Sequence, residues 1–179
     1  MLYRTCLSLF LSLALPLSAA PLHAPLKAVG LDPVAVVESV QPERGVLIER
    51  SGQASRSLSL ERIATLPRVT QRVGFATGRG EQLNEWTGPL LWNVLGASGI
   101  VDGASPREQA HLAVRVTGAD GYAAVIALGE ISPQFADRPI LLADHLNGAP
   151  LPAGALRLVV PGDRVGGRSV RDVVRIEVE

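Results

Sequence analysis

The chain has 179 residues, 47% hydrophobic and 19% charged, with 17 basic side chains against 17 acidic ones. That much apolar content excludes a disordered tail, and 18 glycines and 13 prolines scattered without a period exclude collagen-like and coiled-coil classes. The single cysteine, Cys6, excludes a disulfide scaffold and a multi-cysteine zinc site, and the balanced charge argues against non-specific nucleic-acid binding.

Residues 1–20 read as a secretory signal peptide. Arg4 supplies the positive start, Leu7 to Leu17 is uncharged and leucine-rich, and Ser18-Ala19-Ala20 has the small-x-small form of a cleavage region. A membrane-spanning helix needs about 20 apolar residues, more than this stretch holds. The expected destination is the periplasm. Cleavage after Ala20 removes Arg4 and Cys6, so 17 against 17 becomes 16 against 17, and no cysteine remains. Residues 21–45 read as a lead-in, with Val34 to Val37 as a candidate edge strand, and residues 46–179 as the folded domain.

Val46 to Glu49 predicts a strand. Ser59 predicts the cap of a helix over Leu60 to Leu66, stopped by Pro67. Arg68 to Thr77 alternates as a strand with Val69, Gln71, Val73 and Phe75 on one face, and Gly78-Arg79-Gly80 turns the chain. Pro89 to Ala97 predicts a helix that opens on Pro89 and ends at Gly99. His111 to Thr117 and Tyr122 to Leu128 predict a hairpin. Pro139 to Ala143 is a further strand, followed by an Asn147-Gly148 turn; Leu156 to Val160 is another, ended by Pro161-Gly162. The last strand is expected to turn Val174, Ile176 and Val178 inward, with Arg175 and Glu177 outward. The sum is an α+β fold, a compact β-rich mixed domain with short helices.

Few residue patterns suggest catalysis. His23, His111 and His145 lack chelating spacing, and Asp144-His145 are neighbours expected on opposite sides of a strand. No GxSxG elbow is present, and Ser98 sits at the negative end of its predicted helix. No residue is assigned as catalytic or as a metal ligand. The Gly162 to Arg171 segment is richer, with three glycines and three arginines in ten residues. Glycines let backbone N–H groups approach an anion, and guanidinium forks bind its oxygens. Arg164, Gly166, Gly167, Arg168, Ser169 and Arg171 are therefore the candidate binding residues, with Asp163 and Asp172 placed to pair with the arginines and quench them.

Trp86-Thr87-Gly88-Pro89-Leu90-Leu91-Trp92-Asn93-Val94-Leu95 has the form W-x-G-x-x-L-x-x-V-L. Asp120-Gly121-Tyr122, Asn147-Gly148-Ala149-Pro150-Leu151-Pro152, Arg157-Leu158-Val159-Val160-Pro161-Gly162 and Gly166-Gly167-Arg168-Ser169-Val170-Arg171 follow in order. This ordered set resembles the molybdopterin-binding domain of the sulfite oxidase family. The resemblance implies a molybdopterin cofactor whose metal takes one cysteine thiolate from the protein. It places that cysteine near Val73 or Gly74, neither of which can ligate a metal. It also places Arg171-Asp172 where the family commonly has Lys-Trp, near the pterin phosphate.

These features leave three expectations. The first is an exported, non-catalytic ligand-binding, accessory or sensory component. It would take a small anionic ligand or a pterin and meet a membrane sensor or redox partner protein. The second is a molybdopterin-dependent oxidoreductase with non-cysteine metal ligation. The third is a structural exported domain.

Overall fold

The computed structural model describes residues 44–77 and 80–179. The signal peptide, the lead-in with its Val34 to Val37 strand, and Gly78-Arg79 lie outside the described residues. The first sheet is built on β1 (Gly45–Arg50), where alternation buries Val46 and Ile48 completely. It pairs antiparallel with β2 (Arg56–Ser59) and parallel with β11 (Val173–Val178). The hairpin of β5 (Ala113–Gly118) and β6 (Ala123–Ala127) completes the order β2-β1-β11-β5-β6. Helices α1 (Leu60–Ala64), α2 (Leu91–Ser98) and α4 (Leu128–Ile131) add Ile63, Leu91, Val94, Leu95, Leu128 and Ile131 to the apolar cluster of this sheet. The sheet's outward side chains are laced by ion pairs, Arg175 to Glu49 and Arg115 to Glu179 among them.

Local signals explain most boundaries. The Ser59 hydroxyl accepts from the Arg62 N–H at 3.2 Å, as a cap should, although α1 ends at Ala64 rather than Leu66. Gly99, at φ 71, closes α2 in the left-handed conformation. Pro89 does not open that helix. It ends a long strand, β4 (Gly80–Pro89), opposite Arg68, and Leu90 is the residue that turns into the helix. An additional helix, α3 (Pro106–His111), starts at a Ser105/Glu108 capping box with proline at its first position. His111 therefore ends a helix instead of beginning a strand. In β11, the register shifts between Val173 and Arg175, so Val173 turns inward and Val174 is left 43% exposed.

The second sheet is antiparallel throughout, in the order β3 (Arg68–Thr77), β4, β8 (His145–Leu146), β9 (Ala149–Pro150). Asn147 and Gly148, at φ 51 and 79, make the tight turn between the last two. A two-stranded ribbon, β7 (Leu141–Ala143) with β10 (Arg157–Val159), contributes to both apolar clusters. Leu142 and Leu158 join the first cluster; Leu141, Ala143 and Val159 join a second one with Val73, Phe75 and Trp86. The period of two along a strand sends alternate residues to opposite cores.

Gly88 lies against this ribbon. A Cβ there would collide with the Leu142 carbonyl oxygen and stand 2.6 Å from the Ala143 Cα. Gly88→Ala is expected to cost about 3 kcal/mol in urea unfolding, because both neighbours are backbone. Gly96→Ala, in α2 with nothing within 4 Å of its Cβ, is expected to stabilise by up to about 1 kcal/mol in the same measurement.

Candidate functional site

The Gly/Arg loop reaches the end of β3. Val165 bridges to Ala76, and the Ala76 N–H donates to the Arg164 carbonyl at 3.0 Å. A cavity of about 400 Å³ opens there, lined by Arg72, Val73 and Gly74 from β3 and by Gly162, Asp163 and Arg164 from the loop. The two features singled out in the sequence, the loop and the Val73-Gly74 position, therefore meet in space. They meet without a metal ligand. Val73 is 3% exposed and packs in the second core. It pairs with Asn84 in the middle of a hairpin whose register runs without interruption from Arg68 opposite Pro89 to Thr77 opposite Gly80.

The loop's own residues are dispersed among different tasks. Arg164 is exposed and makes no ion pair among the described residues. Gly166 and Gly167 form a 3₁₀ turn with Arg168, and the Gly167 carbonyl accepts from the Tyr122 hydroxyl. Arg168 is already satisfied. Its Nε and Nη2 reach both oxygens of Asp163 at 3.0 and 2.6 Å, and Glu130 lies 3.5 Å from Nη1. The hydrogen bonds it donates to Asp163 hold Arg168 above its ordinary guanidinium value, against the effect of burial. Glu130 also binds Arg138, at 2.9 Å. Ser169 is buried, donating to the Leu158 carbonyl at 2.9 Å and accepting from Arg157 Nε at 2.8 Å. Arg171 is exposed, again without an ion pair among the described residues.

Arg157 was not among the residues expected from sequence. It stands 5.0 Å over the Trp86 ring, and Ser169 is its hydrogen-bond acceptor. Burial and the nearby Arg171 charge pull it below the ordinary guanidinium value, partly offset by Asp172. The Trp86 Nε1–H beneath it is buried with no partner. The available signal was a lone cation inside the apolar run Leu156-Arg157-Leu158-Val159-Val160, where a charge is rare unless it has a task. Arg157 and Arg171 line a small cavity of about 160 Å³.

A second polar cluster lies at the far end of β3, on the second sheet. Arg68 grips both oxygens of Asp144, and His145 Nδ1 lies 2.8 Å from Asp144 Oδ1. The sequence placed these neighbours on opposite sides of one strand. They meet because Asp144 sits in the break between β7 and β8. Burial alone would raise the Asp144 carboxyl, but hydrogen bonds from Arg68 and His145 outweigh it and hold the group below its ordinary value.

The profile of the oxidoreductase molybdopterin binding domain matches residues 45–179. The chain belongs to that family. Among solved structures, it is similar to the sulfane dehydrogenase SoxCD from Paracoccus pantotrophus, with a TM-score of 0.59 and 18% identity. The likeness covers 75% of this chain and 37% of that one, so this chain spans well under half its length. No curated protein matches the chain by sequence. The α+β, sheet-rich architecture expected from the motifs is the one observed.

The family implies a molybdenum cofactor, and the residues present do not fit its metal. The described residues contain no cysteine to supply the one thiolate that this metal takes from the protein. A buried valine and a glycine stand where the resemblance places the thiolate.

The Asp144 cluster gives a pH dependence. A carboxyl held below its unfolded value stabilises the fold above about pH 4, and that contribution is lost as pH falls through the folded value. Asp144→Asn is expected to lower Tm by a few degrees at pH 7 and by less at pH 3, read by thermal unfolding at the two pH values.

Proposed function

We propose that the chain is an exported, non-catalytic member of the molybdopterin-binding family that holds a small anionic ligand or a pterin. The single observation that carries this reading is the pairing of its arginines, some neutralised by carboxylates and two left without an ion pair on one cavity wall. Arg168 is neutralised by Asp163 and Glu130. Arg157 and Arg171 line one cavity and have no ion-pair partner among the described residues. Asp172 on the same wall offsets the repulsion between these two charges only in part, and a half-buried guanidinium gains most from a further anionic partner.

The signal-peptide pattern of residues 1–20 supports export to the periplasm. An exported ligand-binding domain without redox chemistry of its own would report to a membrane sensor or assist a redox partner protein. A molybdopterin-dependent oxidoreductase remains the competing reading. It would require the metal to be held without a protein thiolate.

Metal and pterin analysis of protein isolated from its exported fraction separates these readings. The expected result is molybdenum far below one equivalent per chain and no cofactor-dependent turnover. Stoichiometric molybdenum with turnover would establish the oxidoreductase instead.

A further inference from the structure

We infer that the anion at Arg157 and Arg171 is the head group of an amphiphilic ligand, whose apolar body lies in the adjoining cavity against Leu60 and Val174. This rests on the anion-binding reading above and adds the ligand's chemical class. The adjoining cavity holds about 360 Å³, and Leu60, Leu156, Val173 and Val174 stand in its walls. It shares Pro152, Ala155, Leu156 and Asp172 with the arginine-lined cavity, so the two adjoin across a common wall. Cationic and apolar surfaces thus lie side by side, with the Asp172 carboxylate on the wall they share.

Three details fit this assignment. Val174 is turned outward by the β11 register shift, which leaves an apolar side chain 43% exposed at the cavity. A small hydrated ion has no use for such a surface, whereas a hydrocarbon or ring gains by covering it. The surrounding backbone is strained. Ala153 and Asp172, neither of them glycine, have φ of 51 and 47, in the left-handed region. Strain of this kind persists where the surroundings impose it, and ligand clamps are among its usual places. Arg44 fixes one strained residue by donating to the Ala153 carbonyl at 2.9 Å, so the wall is held in shape before anything binds.

Calorimetric titration of the exported protein with methanesulfonate and with octanesulfonate tests the idea, because the two probes share a sulfonate head group and differ in the chain. Octanesulfonate is expected to bind at least about ten-fold tighter, the worth of roughly two methylenes removed from water. Arg171→Gln should weaken both probes by about ten-fold, through loss of a charged contact. Val174→Trp should remove the octyl advantage and leave methanesulfonate binding unchanged. Equal affinities for the two probes in the unmodified protein would overturn the amphiphile and leave the anion site standing. Absence of binding by either probe would overturn both. An octyl advantage that survives Val174→Trp, or binding indifferent to Arg171→Gln, would place the ligand elsewhere and refute the assignment.

Discussion

A ribbon of two three-residue strands serves two apolar cores at once. Leu142 and Leu158 face one core, while Leu141, Ala143 and Val159 face the other. Neither sheet can shift without disturbing these shared side chains, because close-packed interiors transmit displacement. The rest of the domain hangs on this ribbon. Gly88 brings β4 to its backbone. The Leu158 N–H donates to the Val170 carbonyl, and the Leu158 carbonyl accepts from Ser169, which ties the Gly/Arg loop to the same strand. Arg157 is the first residue of that strand, so the cation over Trp86 is positioned by core packing rather than by a loop.

The candidate site is therefore a rigid one, and its chemistry is selective. Carboxylates have been placed against Arg168 and Arg138, where they brace the loop. Arg157 and Arg171 are in no ion pair among the described residues, and Asp172, on the same cavity wall, offsets their mutual repulsion only in part. A loop that merely needed solubility would show no such division. The division separates arginines that hold the fold from arginines left available to a ligand. The same economy shows at the metal position. The family's fold is present, while a continuous hairpin runs through the place where the resemblance puts the thiolate.

Much of the fold was legible because its signals are local. The alternation in Arg68 to Thr77, the Asn147-Gly148 turn and Gly99 each act through neighbouring residues, and each is found where the pattern put it. Pro89 was misread because proline suits both the first turn of a helix and the last residue of a strand, and the choice was made by β4 pairing with β3. Val174 was misread because a bulge leaves no mark in the alternation of apolar residues and yet moves one of them to the other face. The site was harder. A run of arginines is visible in a sequence, and so is Asp163, which pairs with Arg168 as expected, but the second carboxylate on Arg168 comes from a distant segment. Glu130 lies 38 residues before Arg168. Arg157 escaped because it stands alone in an apolar strand, and its meaning comes from Trp86 and Arg171 brought beside it by folding.

The unbroken hairpin has a consequence for any attempt to give this scaffold metal chemistry. Replacing Val73 by cysteine would put sulfur into the second core, among Phe75, Trp86 and Val159. A thiol in apolar surroundings resists ionisation, and a neutral thiol is a poor ligand. The obstacle is thus one of topology and solvation rather than of residue identity. At Val73 the packing of the second core therefore opposes a metal-bound thiolate even when the side chain is supplied.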